Sequence, residues 1–422
     1  MKKIVVNASI LLYDLTGLGY YTLTLIKALE KHFENRDDVS IQLVVKDGLY
    51  HLNLFNNPTL WRAPMLFDNL EDLEKFRSLS LSLSAKPSEQ PLTQHTKTPA
   101  RTGFSRFFKN FLRTLRDLLP QKFYLFLRYK LVWNMLFRCN KAPCNQIFDL
   151  YIEPGFMALP LRARKILGTI HDLPLCDPKA WCLSDEDRAR WTYYVYPRMS
   201  AYTEVITISQ STKSDILKAF GFPESRVHVI YHGVREYKGS YANLPPNLGE
   251  FILVVGAGSP RKNAKNLITA FKLLPQALQQ RFKVVLAGPG INTDYLGIKP
   301  EDFLINLGHI SDALLQTLYA NARLLWFGSW AEGFGLPMVE AMQAKCVILT
   351  SHVSCMPEIL GDAGFYCNPY DVQDIARQLE VALMDETLRK QCVEKGLERI
   401  KKFDLEESME KHMAIIEKML GD

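Results

Sequence analysis

The sequence of 422 residues is poor in cysteine and lacks any cysteine or histidine arrangement typical of a metal site. Its eight cysteines include no CxxC pair, and its nine histidines form no HExxH or CxxC…HxxxH pattern. Eight scattered cysteines in a chain of this length also do not make a disulfide scaffold. We therefore expect reduced thiols in a cytoplasmic enzyme, and no metal.

The chain also lacks a long uncharged hydrophobic run. The N-terminus has two lysines and an apolar stretch, as a signal peptide does, but Asn7 and Asp14 interrupt it and no small-residue cleavage site follows. Residues 118–137 contain three basic residues, each costing about 2.5–3.5 kcal/mol at a bilayer centre. We predict a buried strand at residues 3–7 and no membrane span.

Positive charge is concentrated in one part of the chain. Residues 101–145 contain ten Lys or Arg and one acid, a net charge of +9, so the total of +6 leaves −3 for the remainder. A basic segment in an otherwise acidic chain indicates an anionic partner. No nucleic-acid-reading motif accompanies the charge, so nucleic acid is not expected.

Short apolar runs alternate with amphipathic segments along most of the chain. Runs that are continuously apolar predict strands buried on both faces, and their alternation with helices predicts parallel sheets of the α/β class. The runs are KIVVN (3–7), IQLVV (41–45), KILGTI (165–170), EVITI (204–208), FILVV (251–255), FKVVLAG (282–288), FLINL (303–307), RLLWF (323–327) and CVILT (346–350).

The runs fall into two sets, and the length of the chain exceeds what one hydrophobic core supports. Residues 236–250 carry two glycines and a proline pair between the sets and predict a linker. Residues 78–101 are rich in Ser, Thr, Pro and Lys and predict a loop. Residues 404–420 have apolar positions near a 3.6-residue spacing and predict a helix.

The stretch VVGAGSPRKNAKN (254–266) runs from a strand through a glycine turn into a helix. A dinucleotide fingerprint is excluded, because Arg261 replaces its third glycine and the next strand has no acid for a ribose. Basic side chains, including Arg261 and Lys262, suit a bound phosphate or diphosphate at such a junction. A solvated helix start is the alternative.

The stretch EGFGLPMVEAM (332–342) predicts a helix whose first turn contains Pro337. Gly333 and Gly335 let the backbone approach a ligand closely. The amides of Phe334, Gly335 and Leu336 would then point outward at the positive end of the helix, which favours an anion.

Glu332 precedes this turn and Glu340 lies one turn inside the helix, so both can face one cleft. Carboxylates accept hydrogen bonds from hydroxyl groups, which sugars and riboses offer. The alternative is that both acids only complement the helix dipole.

Two further positions follow predicted strands, where ligands bind in open α/β sheets. His171 ends the run KILGTI, and it is either a ligand contact or a structural histidine. Gly17 and Gly19 lie between the first strand and a helix, where they mark a close backbone approach or a bare turn.

These segments together resemble the family-four retaining glycosyltransferases of GT-B fold. EGFGLPMVEAM is similar to their E-x7-E signature, and SHVSCMPEILGDAGFYCNP (351–369) also matches. SPRKN resembles their basic donor-phosphate turn, and TGLGYYT, HDLP (171–174), ITISQSTKSDIL (206–217) and VIYHGV (229–234) follow in family order. Within the family, the chain resembles bacterial mannosyltransferases.

The resemblance implies a domain plan. Two facing Rossmann-like domains with a cleft between them would comprise an acceptor-side domain, a donor-binding domain, and a terminal helix packing back on the first. The ranges are 1–240, with a basic insertion at about 78–147, then 250–403 and 404–422.

The resemblance also implies an activity: retaining, metal-independent transfer of a hexose, with mannose favoured, to a glycan or lipid-linked acceptor. The donor would be a GDP- or UDP-linked sugar, and no cofactor is implied. Glu332 would stabilise the forming oxocarbenium ion, while Glu340 would accept ribose hydroxyls. Arg261, Lys262 and the amides of 334–336 would stabilise the leaving diphosphate.

The resemblance also implies roles for the remaining site residues, with His171 counted as catalytic beside Glu332. His171 would contact the transferred sugar or its phosphate, and the Gly17–Gly19 loop would close on the diphosphate. His309 and Ile310 lie where the family places the nucleotide base of the donor. Two alternatives stay open, namely a GT-B sugar-nucleotide epimerase and an inactive GT-B subunit that binds a partner.

The basic segment suggests where the acceptor is met. Two stretches are basic, amphipathic and rich in aromatic residues, as helices in anionic membrane interfaces are, namely FSRFFKNFLRTLRDLLP (104–120) and KFYLFLRYKLVWNMLFR (122–138). We expect a cytoplasmic protein that binds the inner membrane face through residues 101–137. The alternative is that these helices pack their apolar faces on the first domain.

Overall fold

A computed structural model of the chain provides the description that follows. The residues it describes are 1–12, 17–45, 48–52, 115–133, 146–156, 158–159, 161–234, 242–294, 297–299 and 301–421. The predicted loop at 78–101 and most of the basic segment lie outside these residues, as does part of the predicted linker.

The strands of the first sheet lie in the order β3-β2-β1-β4-β5-β6-β7. The pairs β1–β2, β1–β4 and β4–β5 are parallel, and β2–β3 is an antiparallel hairpin. The strands are β1 (Lys2–Asn7), β2 (Val39–Val45), β3 (Gly48–Leu52), β4 (Ile147–Glu153), β5 (Arg162–Ile170), β6 (Glu204–Thr207) and β7 (Val227–Val229).

Helices lie between several of these strands along the chain, as the α/β pattern predicts, although none of the described residues forms one between β2 and β3 or between β4 and β5. They are α1 (Gly17–His32), α2 (Gln121–Phe126), α3 (Asp185–Arg190), α4 (Tyr196–Met199) and α5 (Gln210–Phe220), with π-helical turns at Leu127–Trp133 and Trp191–Val195. Helix α5 begins after Ser209, whose hydroxyl accepts from the Thr212 amide, and ends at Gly221 with φ of +63°. A side-chain cap and a left-handed terminal glycine fix both ends of this helix.

The second sheet is parallel throughout its six strands, in the order β10-β9-β8-β11-β12-β13. The strands are β8 (Glu250–Val255), β9 (Phe282–Ala287), β10 (Leu304–Gly308), β11 (Leu324–Phe327), β12 (Ile348–Ser351) and β13 (Phe365–Cys367). All nine apolar runs are therefore confirmed as strands, whereas β3, β4, β7 and β13 were not predicted.

Helices cover both faces of the second sheet. They are α6 (Ala264–Phe271), α7 (Gln276–Arg281), α8 (Asp312–Asn321), α9 (Leu336–Gln343), α10 (Met356–Leu360), α11 (Val372–Met384) and α12 (Glu386–Arg399), and a last helix, α13 (Leu405–Gly421), follows them along the chain. One core packs α6 and α11 on the sheet, and another packs α9 and α10 on the opposite face. Helix α13 confirms the helix predicted for 404–420.

The chain forms two compact units. One comprises residues 1–169, 183–205 and 413–422, and the other comprises 170–182 and 206–412. In the first unit, the end of α13 is bonded to β5. The ammonium group of Lys165, on β5, donates to the carbonyl of Met419, on α13, at 2.8 Å. The predicted boundaries at 240, 250 and 403 stay predictions.

Two observations concern the thiols and the helices of the described ranges. Cys176, Cys182, Cys346, Cys355, Cys367 and Cys392 are free. No helix within those ranges combines the length and hydrophobicity that a membrane span needs.

Candidate active site

The topology of the second sheet indicates where a ligand binds. Strand order reverses between β8 and β11, and ligands in open α/β sheets bind at the carboxyl ends of strands beside such a reversal. A single turn of 3₁₀-helix, Pro260–Lys262, follows β8. Residues 328–335 follow β11 and lead into α9. The two segments most strongly indicated by sequence therefore leave neighbouring strands at one edge.

A buried ion-pair cluster joins these two segments. The Glu332 carboxylate lies 2.5 Å from Nη1 of Arg261 and 2.7 Å from Nζ of Lys262. Burial alone would raise the pKa of Glu332, but Lys262 and Arg261 outweigh it and hold the pKa at about 2. Glu332 is therefore fully ionised at neutral pH, and its partners are two cations rather than the helix dipole alone.

Backbone contacts fix the basic turn against the segment after β11. Arg261 donates from Nη1 to the Ala331 carbonyl at 2.9 Å, and the Trp330 amide donates to the Arg261 carbonyl at 3.0 Å. The buried Asn263 side chain donates to the Gly328 carbonyl at 3.1 Å. The cations are consequently held in position before any ligand binds.

The glycines of the signature permit close packing within the protein, and their close approach to a ligand stays a prediction. A Cβ on Gly333 would lie 2.1 Å from the His171 carbonyl oxygen, which no backbone can accommodate. Gly335 has φ of +98° and caps α9, whose first turn contains Pro337. The ring of Phe334 is buried. That the amides of Phe334, Gly335 and Leu336 bind an anion stays a prediction.

The contact at Gly333 brings the end of β5 to the cluster. Asp172 is half-buried there. Burial raises its pKa to about 6, Arg261 opposes the rise and Glu332 adds to it. The sequence did not single out Asp172 as a site residue, because its charge gains significance only beside Arg261.

His171 lies half-buried beside a second histidine. Its ring stacks on His232 with centroids 5.4 Å apart, and His232 meets the Phe334 ring edge-on at 5.2 Å. Burial, His171 and His412 together lower the pKa of His232 well below its ordinary value. A neutral His232 thus supports the His171 ring, and the role of His171 toward a sugar stays a prediction.

Glu340 lies on α9 and is held by a residue that the sequence did not indicate. The hydroxyl of the buried Tyr319, on α8, donates to Oε2 of Glu340 at 2.8 Å. Burial raises the pKa of Glu340, the Tyr319 hydrogen bond opposes the rise, and Asp312 adds to it. The carboxylate is oriented, with acceptor capacity left for ligand hydroxyls.

We expect Glu340→Gln to weaken nucleotide-sugar binding by about 1–3 kcal/mol, because a neutral amide accepts more weakly than a carboxylate. Isothermal titration with the donor measures this loss. Tyr319→Phe is the matched variant, since it keeps the charge and removes only the orienting hydroxyl, so its loss should be smaller. Unchanged donor affinity in Glu340→Gln would refute the ribose role.

His309 and Ile310 follow β10, the outer strand on the β9 side of the sheet. His309 is exposed, and Ile310 packs against the core below α9. Both lie at the carboxyl end of their strand, the edge that also carries Glu332. That His309 and Ile310 contact the nucleotide base of the donor stays a prediction.

Gly17 and Gly19 begin α1 in the first compact unit. Gly17 is exposed, Gly19 is buried, and residues 13–16 before them are not described. The other predicted site residues all belong to the second unit. Within the described residues, no group of three or more His, Cys, Asp or Glu is placed to hold a metal ion.

Comparisons with known proteins place the chain in a family of glycosyltransferases. Residues 242–399 match the profile described as "Glycosyl transferases group 1", and residues 146–236 match "Glycosyltransferase Family 4". The O-antigen chain mannosyltransferase B of Escherichia coli is 30% identical over 274 residues, covering 61% of this chain and 71% of the relative. The chain belongs to the group 1 glycosyltransferases.

The serotype-specific mannosyltransferase WbdA of Escherichia coli is 33% identical over 270 residues, which are 57% of this glycosyltransferase and 32% of WbdA. The chain therefore spans less than a third of the length of WbdA in that alignment.

Solved structures share the fold of this chain. Sucrose-phosphate synthase from Thermosynechococcus elongatus superposes over all of both chains with a TM-score of 0.61 at 14% identity. WaaG, described as a glycosyltransferase involved in lipopolysaccharide biosynthesis, gives 0.55 at 15%, covering 98% and 99%. These likenesses show the two-domain GT-B fold.

Proposed function

We propose that this glycosyltransferase moves mannose from a nucleotide-diphosphate sugar to a hydroxyl of a growing surface polysaccharide, with retention at the anomeric carbon. The observation that carries the proposal is the Glu332 carboxylate fixed between Arg261 and Lys262 at the strand-order reversal. The names of the Escherichia coli relatives supply the sugar and the acceptor class.

The cluster matches the charge changes of such a transfer. The bond between the anomeric carbon and the diphosphate oxygen breaks, and its electron pair leaves with the diphosphate. Arg261 and Lys262 stabilise that negative charge, while Glu332 stabilises the positive charge on the sugar ring. The acceptor hydroxyl then bonds to the same face of the carbon and gives its proton to the departing phosphate oxygen.

The ion pairs in the free protein do not prevent this role. A guanidinium has five N–H donors and an ammonium has three, so each cation can bind Glu332 and phosphate oxygens together. With Asp172 protonated the cluster carries a net charge of +1, and with Asp172 ionised it is neutral. The net charge of the cluster is therefore small. We infer that Arg261 and Lys262 stabilise a bound diphosphate mainly because they are held in fixed positions.

Incubation with GDP-mannose, UDP-glucose and UDP-N-acetylglucosamine, with and without a mannose-containing acceptor, tests the proposal. Release of GDP and formation of an α-linked product, assigned by proton NMR of the anomeric signal, are the expected results. An inverted anomer would refute retention. An epimerised sugar nucleotide would identify the epimerase alternative, and no turnover of any donor would identify an inactive binding subunit.

Turnover should survive EDTA, because fixed cations and a helix N-terminus supply the positive charge that a divalent ion supplies elsewhere. Arg261 and Lys262 are held by contacts that need no ion. Initial rates are compared in EDTA and after adding excess Mg²⁺ or Mn²⁺. Activity lost in EDTA and restored by either ion would refute metal independence.

We also propose that the protein binds the cytoplasmic face of an anionic membrane. In the described part of the basic segment, Leu118, Phe123 and Leu131 are 74%, 52% and 54% exposed. Exposed Arg116, Lys122 and Lys130 flank them. Tyr124, Leu125 and Tyr129 point the other way and pack against Ala189. One face of the segment is thus packed, and an apolar, basic face is left exposed.

The protein should sediment with anionic liposomes and not with neutral ones. Each basic residue near anionic lipid contributes about 1 kcal/mol, so changing Arg116, Lys122 and Lys130 to Gln should weaken binding about 100-fold. A variant with the same charge loss elsewhere, at Lys390, Lys401 and Lys411, is the control. Wild-type protein that stays in the supernatant at low salt would contradict membrane binding.

A further inference from the structure

Two aromatic side chains are stacked next to the ion-pair cluster. The rings of Trp330 and Tyr370 are inclined by only 11°, with centroids 6.4 Å apart. Tyr370 is 61% exposed, and Trp330 is half-buried. Because the two rings are stacked, Trp330 covers part of one face of Tyr370, while most of the Tyr370 side chain stays exposed. Trp330 lies shortly after β11, which ends at Phe327, and Tyr370 lies shortly after β13, which ends at Cys367, both at the ligand-binding edge of the sheet.

Both rings are tied to the turn that carries Arg261 and Lys262. The Trp330 amide donates to the Arg261 carbonyl at 3.0 Å. The Pro369 carbonyl, next to Tyr370, accepts from the side chain of Asn263 at 2.8 Å and from that of Asn266 at 3.1 Å. The pair is consequently held in a fixed place relative to the cations, although Tyr370 itself is on the surface.

A charged group lies near the aromatic pair. The Arg261 guanidinium lies over a third aromatic ring, that of Trp181, 4.7 Å from its centre, and the Arg261 carbonyl accepts from the Trp330 amide. Burial raises the pKa of the Tyr370 hydroxyl, and the exposed Asp177 and Cys182 add to the rise. An exposed aromatic face beside a charged cluster is suited to a hydroxyl-rich ring rather than to a lipid tail.

The indole of Trp330 lowers the stability of the folded protein if its only role is packing. Its N–H is buried and has no hydrogen-bond acceptor among the described residues. A buried donor left unpaired costs about 1–3 kcal/mol, which a phenylalanine at this position would avoid. The larger aromatic surface therefore has a use that the free protein alone does not account for.

We propose that Trp330 and Tyr370 form a subsite for a pyranose ring of the acceptor saccharide. The axial C–H groups of a pyranose carry partial positive charge and pack on the negative faces of aromatic rings. This inference rests on the proposed function, since it assigns a second sugar-binding position beside the transferred sugar.

The position of the rings favours the acceptor over the donor. A nucleotide sugar brings one hexose, and the Glu332 cluster accounts for it. An acceptor polysaccharide brings several linked sugars, and holding one of them next to the cluster would place the following hydroxyl near the reacting carbon. The exposure of Tyr370 suits a chain that extends beyond the site over the protein surface.

Binding of α-mannobiose, measured by saturation-transfer difference NMR and by titration calorimetry, tests this subsite. We expect Tyr370→Ala to raise the dissociation constant for mannobiose about tenfold, and Tyr370→Phe to leave it near the wild-type value because the ring face remains. Leu273→Ala, an exposed apolar position elsewhere in the same compact unit, is the control for lost surface area.

Trp330 is tested by Trp330→Phe as well as Trp330→Ala, because the phenylalanine variant preserves a ring and removes the unpaired donor. We expect Trp330→Phe to fold with undiminished melting temperature and to bind mannobiose less tightly than wild type and more tightly than Trp330→Ala. GDP affinity of every variant is measured separately and should stay within about twofold of wild type.

Each outcome decides between the possibilities. Equal mannobiose affinity in wild type and Tyr370→Ala overturns the subsite, as does wild type that does not bind mannobiose at tens of millimolar. A parallel loss of GDP-mannose affinity overturns the acceptor assignment. Wild type that turns over no donor refutes the proposed function instead, and that result is distinguished from the others by the donor assay alone.

Discussion

Changing Glu332 to glutamine should lower kcat about 10²–10³-fold while the donor KM changes by only a few-fold. The carboxylate stabilises positive charge that develops on the sugar in the transition state, so its loss acts mainly on the chemical step. The neutral side chain also leaves Arg261 and Lys262 with a larger net positive charge, which favours the ground-state diphosphate. Steady-state kinetics with saturating acceptor separate the two parameters.

The fold of this variant needs a separate measurement, because breaking a buried ion pair typically costs about 3–5 kcal/mol. The pKa of Glu332 is depressed in the folded state to about 2, so its stabilising contribution is complete above the unfolded pKa near 4.5 and is lost as the pH falls toward 2. At neutral pH the wild type therefore has the full contribution, and Glu332→Gln should melt at a lower temperature. A rise in KM with kcat intact would show that Glu332 only positions the bound donor.

Changing Gly333 to alanine should remove donor binding and destabilise the protein by about 3 kcal/mol. The added Cβ would meet the His171 carbonyl oxygen at 2.1 Å, a clash with backbone that no side-chain rotation relieves. Segment 332–335 must then move away from the end of β5, which separates Glu332 from Arg261 and Lys262. Thermal unfolding with and without GDP measures both losses.

Gly155→Ala is the matched control for Gly333→Ala. Its Cβ would meet the Leu18 side chain at 3.4 Å, an ordinary contact, so the melting temperature should hardly change. If Gly333→Ala behaves like Gly155→Ala and retains GDP affinity, the close approach at His171 does not position the site.

Strands were predictable from sequence where they are continuously apolar over several residues, and they were missed where they are very short, as β7 and β13 are, or where polar residues interrupt them. In β4, the charged residue Asp149 interrupts the apolar run. Its carboxylate accepts a hydrogen bond from the Lys3 amide at 2.9 Å and forms an ion pair with Arg164. At its other end, the buried Glu153 accepts from the Asn7 side chain at 2.7 Å. These acids are acceptable in a central strand only because their partners come from neighbouring elements.

The site shows the same division. The helix start at Leu336 and the adjacent cations at 261 and 262 are local features, so residue types and spacing were enough to find them. Asp172, Tyr319 and Trp330 gave no local signal, because an aspartate after a strand or an aromatic residue in a helix is ordinary by itself. Their significance comes from what the fold places beside them, namely Arg261, Glu340 and Tyr370.

The sequence by itself determined the α/β class, nine strands, the signature helix and the residues that form the buried ion-pair cluster. Only the tertiary structure decided that strand order reverses between β8 and β11, that Gly333 lies against the His171 carbonyl, and that Trp330 lies parallel to Tyr370. The reason is physical: backbone periodicity and helix capping act over a few residues and are written in neighbouring letters. Sheet order and contacts between distant segments depend instead on which surfaces pack together once the whole chain has folded.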